Sequence, residues 1–275
     1  SRSADAVPNY DQSFVWDVNA GIMDETALDG VTHIVHLAGA GIADAPWTDE
    51  RKRIILESRV KSLELIQKAL ENRHLKIKAL VSGSAIGWYG AISDDKLHTE
   101  DEPSADDFMG KTCAAWEGAA DKFENLSARI VKIRTGVVLA KGGGALEQMK
   151  KPFKFFVGSA LGSGKQQIPW IHLQDIAQVF ANALEDEAYL GAINASATAS
   201  CTNCDFSKTL AKVMHRPMLP IAVPSLVLRL ALGEMSKVVL EGSSVSNQKL
   251  RSLGFSFKFT DLEKALSDLL KHQEK

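Results

Sequence analysis

The 275-residue chain has few of the features that mark several protein classes. Three cysteines are too few for a disulfide framework, so a reducing cytoplasm is the expected location. Its 32 Lys and Arg residues nearly balance 34 Asp and Glu residues, which leaves no basic surface for nucleic acid. No apolar run approaches the roughly 20 residues of a membrane-spanning helix. We therefore expect neither a nucleic acid nor a membrane as partner.

Two of the three cysteines, Cys201 and Cys204, form a C-x-x-C pair, which is a spacing found in zinc and redox sites. Zinc would need two more ligands at comparable spacing, and the sequence has no second pair of this kind. A redox pair normally opens a helix directly after a strand, whereas this pair lies in a polar stretch ahead of a helix. We therefore predict a loop before a capped helix and no metal site.

The first two-thirds of the chain alternates strand patterns with helix patterns. Strands are predicted at "VTHIVHLA", "IKALVSGSA", "ARIVKIRTGVVLA" and "GAINASA". Helices are predicted at Asp49–Asn72, at 108–126 and after Asp175, which we take as the N-cap of its helix. This alternation predicts an α/β fold with a doubly wound parallel sheet. From Asp205 onward the pattern indicates a smaller, mainly helical lobe.

Small residues and hydroxyl groups follow two neighbouring strands. One strand ends in "HLAGAG" (36–41), and the next ends in "VSGSAIGWYG" (81–90), which carries Ser82, Ser84 and Tyr89. In an open α/β sheet, ligands bind beyond the carboxyl ends of the strands, where small residues let the backbone approach them. Two such ends side by side predict a cleft for a small-molecule ligand.

Two glycine-rich stretches look like phosphate-binding loops but lack the required spacing. "GSALGSGKQ" has glutamine where a P-loop has Ser or Thr, and no helix follows. "KGGGALEQM" follows a strand and opens a helix, so its amides could contact an anion. A flexible turn is the favoured interpretation of the second stretch.

Three charged or titratable side chains near the predicted strand ends need an explanation. His172 fits a strand-end side chain and a residue at the rim of the cleft equally well. Arg134 lies inside a buried strand, so we expect a partner or an anionic ligand for its charge. Arg59, in the middle of a helix, fits either a surface charge or a phosphate ligand.

Seven motifs in a fixed order resemble one family and run through essentially the whole chain. They are "HIVHLAGAGIAD", "WTDERKR…ESRV", "VSGSAIGWYG", "CAAWEGAA", "RTGVVLAKGGGALEQM", "GSGKQQIPWIHLQDIA" and "GFSFKF". The family is an epimerase-like branch of the extended short-chain dehydrogenase/reductase superfamily. The resemblance implies a Rossmann-type dinucleotide-binding domain at 1–150, continued by 171–197. It also implies a substrate-binding lobe formed by 151–170 and 198–275.

The resemblance implies that the cofactor is NADP(H), with NAD(H) as the other candidate. Arg2 would hold the 2′-phosphate that distinguishes NADP(H). The residues implied to line the cofactor are Ser1, Arg2, Leu37, Ala38, Gly39, Arg59, Ser82, Gly83 and Val137.

The implied function is that of an oxidoreductase or a nucleotide-sugar epimerase or dehydratase acting on a small polar substrate. Ser84 falls at the family's substrate-polarising Ser/Thr, and Tyr89 or a group of the substrate would handle the proton. The protein is expected to be a monomer or a homodimer.

The stretch "FMGKTCAAWEGAA" (108–120) departs from the family. The superfamily's catalytic helix carries Tyr-x-x-x-Lys, usually with an acid four positions after the lysine. Setting Glu117 at that acid puts Met109 at the tyrosine and Cys113 at the lysine. Methionine has no proton to move, and cysteine cannot supply a fixed positive charge. We predict that Met109, Cys113 and Trp116 form a wall of the cleft. The alternative function is therefore a cofactor-binding sensor or scaffold whose catalytic helix has decayed.

The family's opening strand, G-x-x-G-x-x-G turn, helix and second strand have no counterpart in this sequence. "SFVWDV" is a plausible third strand and "THIVHLA" a fourth, with nothing to lie between them. Because a βαβ unit takes about 30 residues, we expect roughly that many before Ser1, including a Gly-rich turn.

Overall fold

The computed structural model describes residues 12–91, 93, 96–197 and 201–270. Its strands are β1 (Trp16–Asp17), β2 (Ile22–Met23), β3 (His33–His36), β4 (Ile77–Ala85), β5 (Leu97–His98), β6 (Ser127–Thr135), β7 (Val137–Leu139), β8 (Trp170–His172), β9 (Gly191–Ala195) and β10 (Ser244–Val245). Its helices are α1 (Asp49–Asn72), α2 (Phe108–Asp121), α3 (Gly144–Lys154), α4 (Leu173–Glu185), α5 (Asn203–Val213), α6 (Ser225–Leu232), α7 (Lys237–Leu240), α8 (Gln248–Ser252) and α9 (Leu262–Leu270). Short 3₁₀ helices cover Glu25–Leu28, Ile86–Tyr89 and Gly233–Ser236.

The centre of the fold is a parallel sheet in the order β3-β4-β6-β9. Its register sets His36 beside Ser82, and it sets Arg134 between Ser84 and Asn194. All four strands run in the same direction, so their carboxyl ends meet at one edge. The predicted doubly wound, Rossmann-type sheet is confirmed.

Helices cover both faces of this sheet. On one face α1 and α2 pack against each other over a cluster that includes Leu63, Leu80 and Phe123. On the other face α4 packs over Val131 and Ile133. Burial on both faces explains why the strands are nearly continuous apolar runs.

The C-terminal lobe has an apolar cluster of its own around Trp170, Phe206 and Leu266. α5 and α9 pack against each other there, and the strand pair β7–β8 lies beside them. The mainly helical character predicted for this part of the chain is confirmed. Among the described helices, none has the length and apolar character that crossing a membrane requires.

The prediction of one strand through "ARIVKIRTGVVLA" was wrong, because the chain changes sheets at Gly136. The Gly136 N–H donates to the Ala195 carbonyl at 2.9 Å, and the next N–H, of Val137, donates to the Pro169 carbonyl at 2.7 Å. A Cβ at Gly136 would lie 2.5 Å from the Pro169 oxygen, so the crossing requires glycine. β7 therefore pairs with β8 instead of extending β6.

The stretch "SFVWDV" is not a strand of the central sheet in the described part of the chain. Trp16–Asp17 pairs antiparallel with Ile22–Met23. The carboxylate of Asp17 accepts hydrogen bonds from the N–H groups of Asn19 and Ala20, and Gly21 supplies a positive φ of 66°. This turn chemistry closes a local hairpin.

The N-cap of α4 is His172, not Asp175 as predicted. His172 Nδ1 accepts a hydrogen bond from the Gln174 N–H at 3.1 Å. The Asp175 carboxylate instead accepts from the N–H groups of Lys258 and Phe259 at 2.8 and 3.0 Å, which ties the C-terminal lobe to α4. His172 is 1% exposed and stacks on Phe259, so the alternative of a cleft-rim histidine is wrong.

The C-x-x-C pair lies where a loop meets a capped helix, as predicted. Cys201 is buried, and Thr202 caps α5 by accepting from the Asp205 N–H. Burial raises the pKa of Cys201 to about 11, which keeps this thiol protonated. Within the described ranges, no group of three or more His, Cys, Asp or Glu side chains could hold a metal ion.

Candidate active site

A site centred on Arg59 forms where the loop after β3 meets α1. Arg59 NH1 donates hydrogen bonds to the carbonyls of Ala40 at 3.0 Å and Ile55 at 2.8 Å. A Cβ at Gly39 would lie 3.0 Å from the guanidinium carbon, so a larger residue there would push the Arg59 side chain away from the loop. The structure thus brings the predicted residues Gly39 and Arg59 together. We call this group, with Ala40 and Trp116, the Arg59 site.

The charge of Arg59 has no carboxylate partner in the part of the chain that the structure describes. The guanidinium lies over the Trp116 ring, 5.0 Å from its centroid. Burial lowers the pKa of Arg59, which means that the site disfavours the charged form. A half-buried cation compensated by carbonyls alone is a position where an anion would be stabilising.

A buried hydrogen-bond chain supports the Arg59 site from below. The Trp116 indole N–H donates to His36 Nδ1 at 3.4 Å, and His36 Nε2 donates to the Ser62 hydroxyl at 2.7 Å. Ser62 in turn donates to the Arg59 carbonyl at 2.9 Å. Burial, with the charge of Arg59 as a second cause, lowers the pKa of His36 to about 4. His36 is therefore neutral near pH 7 and adds no second positive charge.

A second arginine at the same sheet edge is fully paired. Arg134 forms a bidentate ion pair with Glu117, at 2.8 Å from Nε to Oε1 and 3.0 Å from NH2 to Oε2. Its NH1 group donates to the Tyr89 hydroxyl at 3.2 Å and to the Glu100 carbonyl at 3.1 Å. Arg134 is 2% exposed and Glu117 3% exposed. The expectation that the buried arginine needs a partner is confirmed.

The two predicted catalytic hydroxyls belong to the surroundings of Arg134. Ser84 donates to Glu117 Oε1 at 2.7 Å, and Tyr89 donates to Asn194 Oδ1 at 2.8 Å. We call Ser84, Tyr89, Glu117, Arg134 and Asn194 the Arg134 network. Burial raises the pKa of Tyr89, so its phenol keeps its proton. In this arrangement each hydroxyl proton is held inside the network.

The stripe along α2 packs tightly against the end of β4 and the turn that follows, and its place in the wall of a cleft stays a prediction. Cys113 donates to the Ala85 carbonyl at 3.6 Å, and a Cβ at Gly87 would lie 2.9 Å from the Met109 methyl carbon. A Cβ at Gly83 would lie 3.1 Å from the Trp116 ring. Burial, reinforced by the charge of Glu117, raises the pKa of Cys113 to about 12.

The remaining predicted cofactor residues differ in their surroundings. Leu37 is 63% exposed beside the partly buried Ala38, whereas Ser82 is buried and donates to the Gly83 carbonyl. Val137 lies in β7 and packs against the cluster of the C-terminal lobe. Ser1 and Arg2 lie outside the described residues.

Sequence reasoning missed Asn194 and His36. Asn194 accepts a hydrogen bond from Tyr89 in the Arg134 network, and His36 links Trp116 to Ser62 beneath the Arg59 site. Both are buried polar residues in stretches that read as apolar strands, "GAINASA" and "HIVHLA". The same signal identified Arg134, because a polar group in a buried strand requires a hydrogen-bonding partner. Applied to every buried strand, that rule would have included both residues.

The chain is similar in sequence to known proteins over nearly its whole length. A family model described as a domain of unknown function, DUF1731, matches residues 223–269. The epimerase family protein YfhF of Bacillus subtilis strain 168 is 36% identical over 272 residues, which cover 98% of this chain and 88% of that protein. The chain belongs to the epimerase family. The resemblance stated from the sequence motifs is confirmed.

Two solved structures have a fold similar to that of this chain. The human epimerase family protein SDR39U1 (isoform 2), crystallised with NADPH, matches with a TM-score of 0.81 and 31% identity, over 90% of this chain and 86% of that one. A nucleoside-diphosphate sugar epimerase from Corynebacterium glutamicum matches with a TM-score of 0.74 and 29% identity, over 93% of this chain and 49% of that one. Both share the epimerase-type Rossmann architecture found here.

Proposed function

We propose that this epimerase-family protein binds a nicotinamide dinucleotide at the Arg59 site, with NADP(H) preferred over NAD(H). The observation that carries the proposal is the half-buried guanidinium of Arg59, which has carbonyl partners and no carboxylate in the described chain. A phosphate oxygen would provide the missing negative charge through charge-assisted hydrogen bonds. The human relative that was solved with NADPH supports this choice of ligand.

The surroundings of Arg59 fit such a cofactor. Small residues at 38–41 leave the backbone open to a ligand beyond the end of β3. Leu37, 63% exposed, offers an apolar surface beside them. Ser82 and Gly83 lie on the adjacent strand end, in register with His36 and Ile133. We assign these residues to the cofactor-facing edge.

A bound nicotinamide would supply hydride-transfer chemistry at this edge of the sheet. The chain's own contribution is proposed to begin at Ser84, whose hydroxyl would polarise a substrate carbonyl. That hydroxyl has one proton, which it donates in a hydrogen bond to Glu117 Oε1, so Ser84 has to rotate before it can donate to a substrate. Arg134 binds both oxygens of Glu117 and would keep the carboxylate compensated during that rotation.

Proton transfer is proposed to involve Tyr89 or a group of the substrate. The NH1 group of Arg134 lies 3.2 Å from the Tyr89 hydroxyl and would stabilise a phenolate. Burial acts in the opposite direction and raises the pKa of Tyr89. Tyr89 would therefore be protonated when the substrate binds and could donate that proton to the substrate as a general acid, leaving a phenolate beside Arg134. Tyr89→Phe removes the phenol proton and so separates this role from proton transfer by a group of the substrate.

We propose that 151–170 and 198–275 form the lobe that binds the substrate. An ion pair between Lys52 of α1 and Glu234 joins this lobe to the dinucleotide-binding part. The substrate would be a small polar molecule, and a nucleotide sugar is one class to test because the Corynebacterium glutamicum relative is described as a nucleoside-diphosphate sugar epimerase.

A sensor or scaffold that binds NADP(H) without catalysis is the second candidate. The observation that favours it is the α2 wall, where Met109 and Cys113 stand in the place of the family's tyrosine and lysine. Burial raises the pKa of Cys113 to about 12, so this thiol supplies neither a charge nor a mobile proton near neutral pH. Such a protein would signal through its cofactor-bound state.

Stereospecific exchange of hydride from labelled NADPH across sugar nucleotides, aldehydes and quinones separates the two candidates. The enzyme proposal expects label in one of these substrate classes, with exchange lost in Ser84→Ala and cofactor binding retained. NADPH binding without exchange in any class would support the sensor. Absence of NADPH binding would contradict both.

A further inference from the structure

The side-chain amide of Asn194 has one half in use and one half without a partner. Its Oδ1 accepts the Tyr89 hydroxyl at 2.8 Å, whereas its Nδ2 is buried and has no hydrogen-bond partner in the part of the chain that the structure describes. Every side-chain nitrogen of Arg134, in the same network, has an acceptor. An amide nitrogen carries two donors, and leaving them unsatisfied in the interior costs free energy. Packing alone does not explain an asparagine at this position.

The backbone of Asn194 is held in place, while the end of its side chain is free to turn. Asn194 lies in β9 in register with Arg134, and its backbone N–H donates to Glu100 Oε1 at 2.9 Å. The last torsion of an asparagine side chain joins an sp³ to an sp² carbon and has a broad, roughly two-fold preference. A half-turn about this bond exchanges Oδ1 for Nδ2, which are similar in size. It therefore breaks the bond from Tyr89 and needs no extra room.

The Tyr89 hydroxyl requires different partners before and after it gives up its proton. As a phenol it donates, and Oδ1 of Asn194 is a suitable acceptor. In the acid role proposed for Tyr89, its O–H bond breaks, the proton passes to an oxygen of the substrate, and the electron pair stays on the phenol oxygen. The phenolate then faces Oδ1, which is also an acceptor and repels it. A half-turn of the amide would replace this repulsion with a hydrogen bond from Nδ2.

The charged and titratable groups around Tyr89 leave a phenolate short of donors. Arg134 NH1, at 3.2 Å, stabilises it, but both carboxylate oxygens of Glu117 already bind that guanidinium. Burial raises the pKa of Tyr89, and the charge of Glu100 acts in the same direction. His98 stacks on the Tyr89 ring, with the centroids 5.1 Å apart, and so contacts its face instead of its hydroxyl. A second donor at the hydroxyl would therefore favour proton release.

We propose that Asn194 is a positioning residue for Tyr89, with an amide that accepts from the phenol and, after a half-turn, donates to the phenolate. The inference rests on the acid role proposed for Tyr89 above. Asparagine suits this task because it offers an acceptor and a donor at the same reach, whereas an aspartate carboxylate only accepts and an apolar side chain does neither. The partnerless Nδ2 is the half of the amide that serves the second state.

An NMR titration of the full chain tests the proposal without cofactor or substrate, so its result is independent of whether hydride exchange is found. Tyrosine labelled with ¹³C at Cζ reports the ionisation of Tyr89, whose signal is assigned by its loss in Tyr89→Phe. As the pH rises through that ionisation, the Nδ2 protons of Asn194 should gain a nuclear Overhauser contact with the Tyr89 ring, at the same midpoint. An amide that keeps Oδ1 toward Tyr89 throughout the titration overturns the proposal.

Asn194→Val gives a second readout. A hydrogen bond to a charged group is roughly twice as strong as a neutral one, so the amide supports the phenolate more than the phenol. Its removal should lower the acid dissociation constant of Tyr89 roughly tenfold. Asn182→Val is the matched control, since Asn182 bonds Gln178 on the exposed side of α4, and it should leave that constant unchanged. A constant that rises or stays the same in Asn194→Val contradicts the proposal. If this variant fails to fold, the amide measurement on the wild type decides.

Discussion

Two arginines at the same edge of the sheet differ in how their charges are compensated. Arg59 lies over Trp116 and Arg134 lies over Trp88, with the guanidinium carbons 5.0 and 3.7 Å from the ring centroids. Arg134 has a bidentate carboxylate partner, whereas Arg59 has two carbonyls. The pKa of the arginine is therefore shifted in opposite directions at the two positions.

The difference separates a structural role from a proposed binding role. For Arg134 burial favours the neutral form, but the hydrogen bonds and charge of Glu117 outweigh it and raise the pKa of Arg134. For Arg59 burial prevails and lowers its pKa. An arginine that the fold compensates needs no ligand, whereas one that the fold leaves uncompensated gains by binding an anion.

Removing Glu117 tests the structural half of this comparison and should have the largest effect. Glu117→Ala leaves Arg134 buried and unpaired, which should lower the free energy of unfolding by about 3–5 kcal/mol in urea titrations. The control is Glu64→Ala, which breaks a surface pair with Lys122 and should cost about 0–1 kcal/mol. Equal costs for the two variants would remove the distinction between the arginines.

Acid titration tests the support beneath the Arg59 site. His36 has a pKa of about 4 in the folded state against a reference value of 6.5. As the pH falls, the unfolded chain is protonated at His36 before the folded chain is. The contribution of His36 to the free energy of unfolding is therefore constant above pH 6.5 and is lost as the pH falls toward 4. The loss reaches about 3 kcal/mol.

The difference between wild type and His36→Gln isolates this contribution, because glutamine can still accept from Trp116 and donate to Ser62. We expect Arg59→Ala to raise the pKa of His36 measured by NMR, since the charge of Arg59 helps to lower it. A folded-state pKa near 6.5 for His36 would contradict the buried, neutral assignment.

Ser84 tests whether the Arg134 network also takes part in chemistry. Ser84→Ala should lower turnover by roughly a hundredfold, as loss of one transition-state donor does, while NADPH affinity stays unchanged. Cys113→Ala should be kinetically mild because Cys113 belongs to the wall. Steady-state kinetics on a substrate found by hydride exchange decides this, and the reverse pattern would transfer the catalytic role to Cys113.

Arg2 sharpens the choice of cofactor. If it holds the 2′-phosphate, wild type should bind NADPH more tightly than NADH, by roughly tenfold or more, and Arg2→Ala should abolish the difference. Calorimetric titration with both cofactors measures it. Equal affinities in the wild type would show that this arginine does not select NADP(H).

Local sequence signals determined much of the fold. The predicted bounds of α1 and β4 match the structure, because Thr48 caps α1 and because β4 is a buried run closed by the Ile86–Tyr89 turn. The break at Gly136 was missed since "TGVVL" has strand propensity throughout. The carbonyls that redirect the chain there belong to Pro169 and Ala195, which are distant in sequence.

The candidate site was also predictable only in part, because some of its contacts join residues that are distant in sequence. The cost of burying a charge predicted that Arg134 has a partner, but only the packing of α2 on β6 identifies it as Glu117. The cap of α4 was assigned to Asp175 because aspartate is the better capping residue in isolation. Two N–H groups of the C-terminal lobe take up that carboxylate, and His172 caps the helix instead.

The proposal that Arg59 binds a cofactor phosphate is tested most directly by calorimetric titration of NADPH into three proteins. Wild type should bind saturably, and Arg59→Ala should bind more weakly by about 1.5–3 kcal/mol, which is roughly tenfold or more in affinity. Arg53→Ala, which removes an exposed arginine of α1 paired with Glu50, should match the wild type. A folded Arg59→Ala variant that binds NADPH as tightly as the wild type would contradict the account.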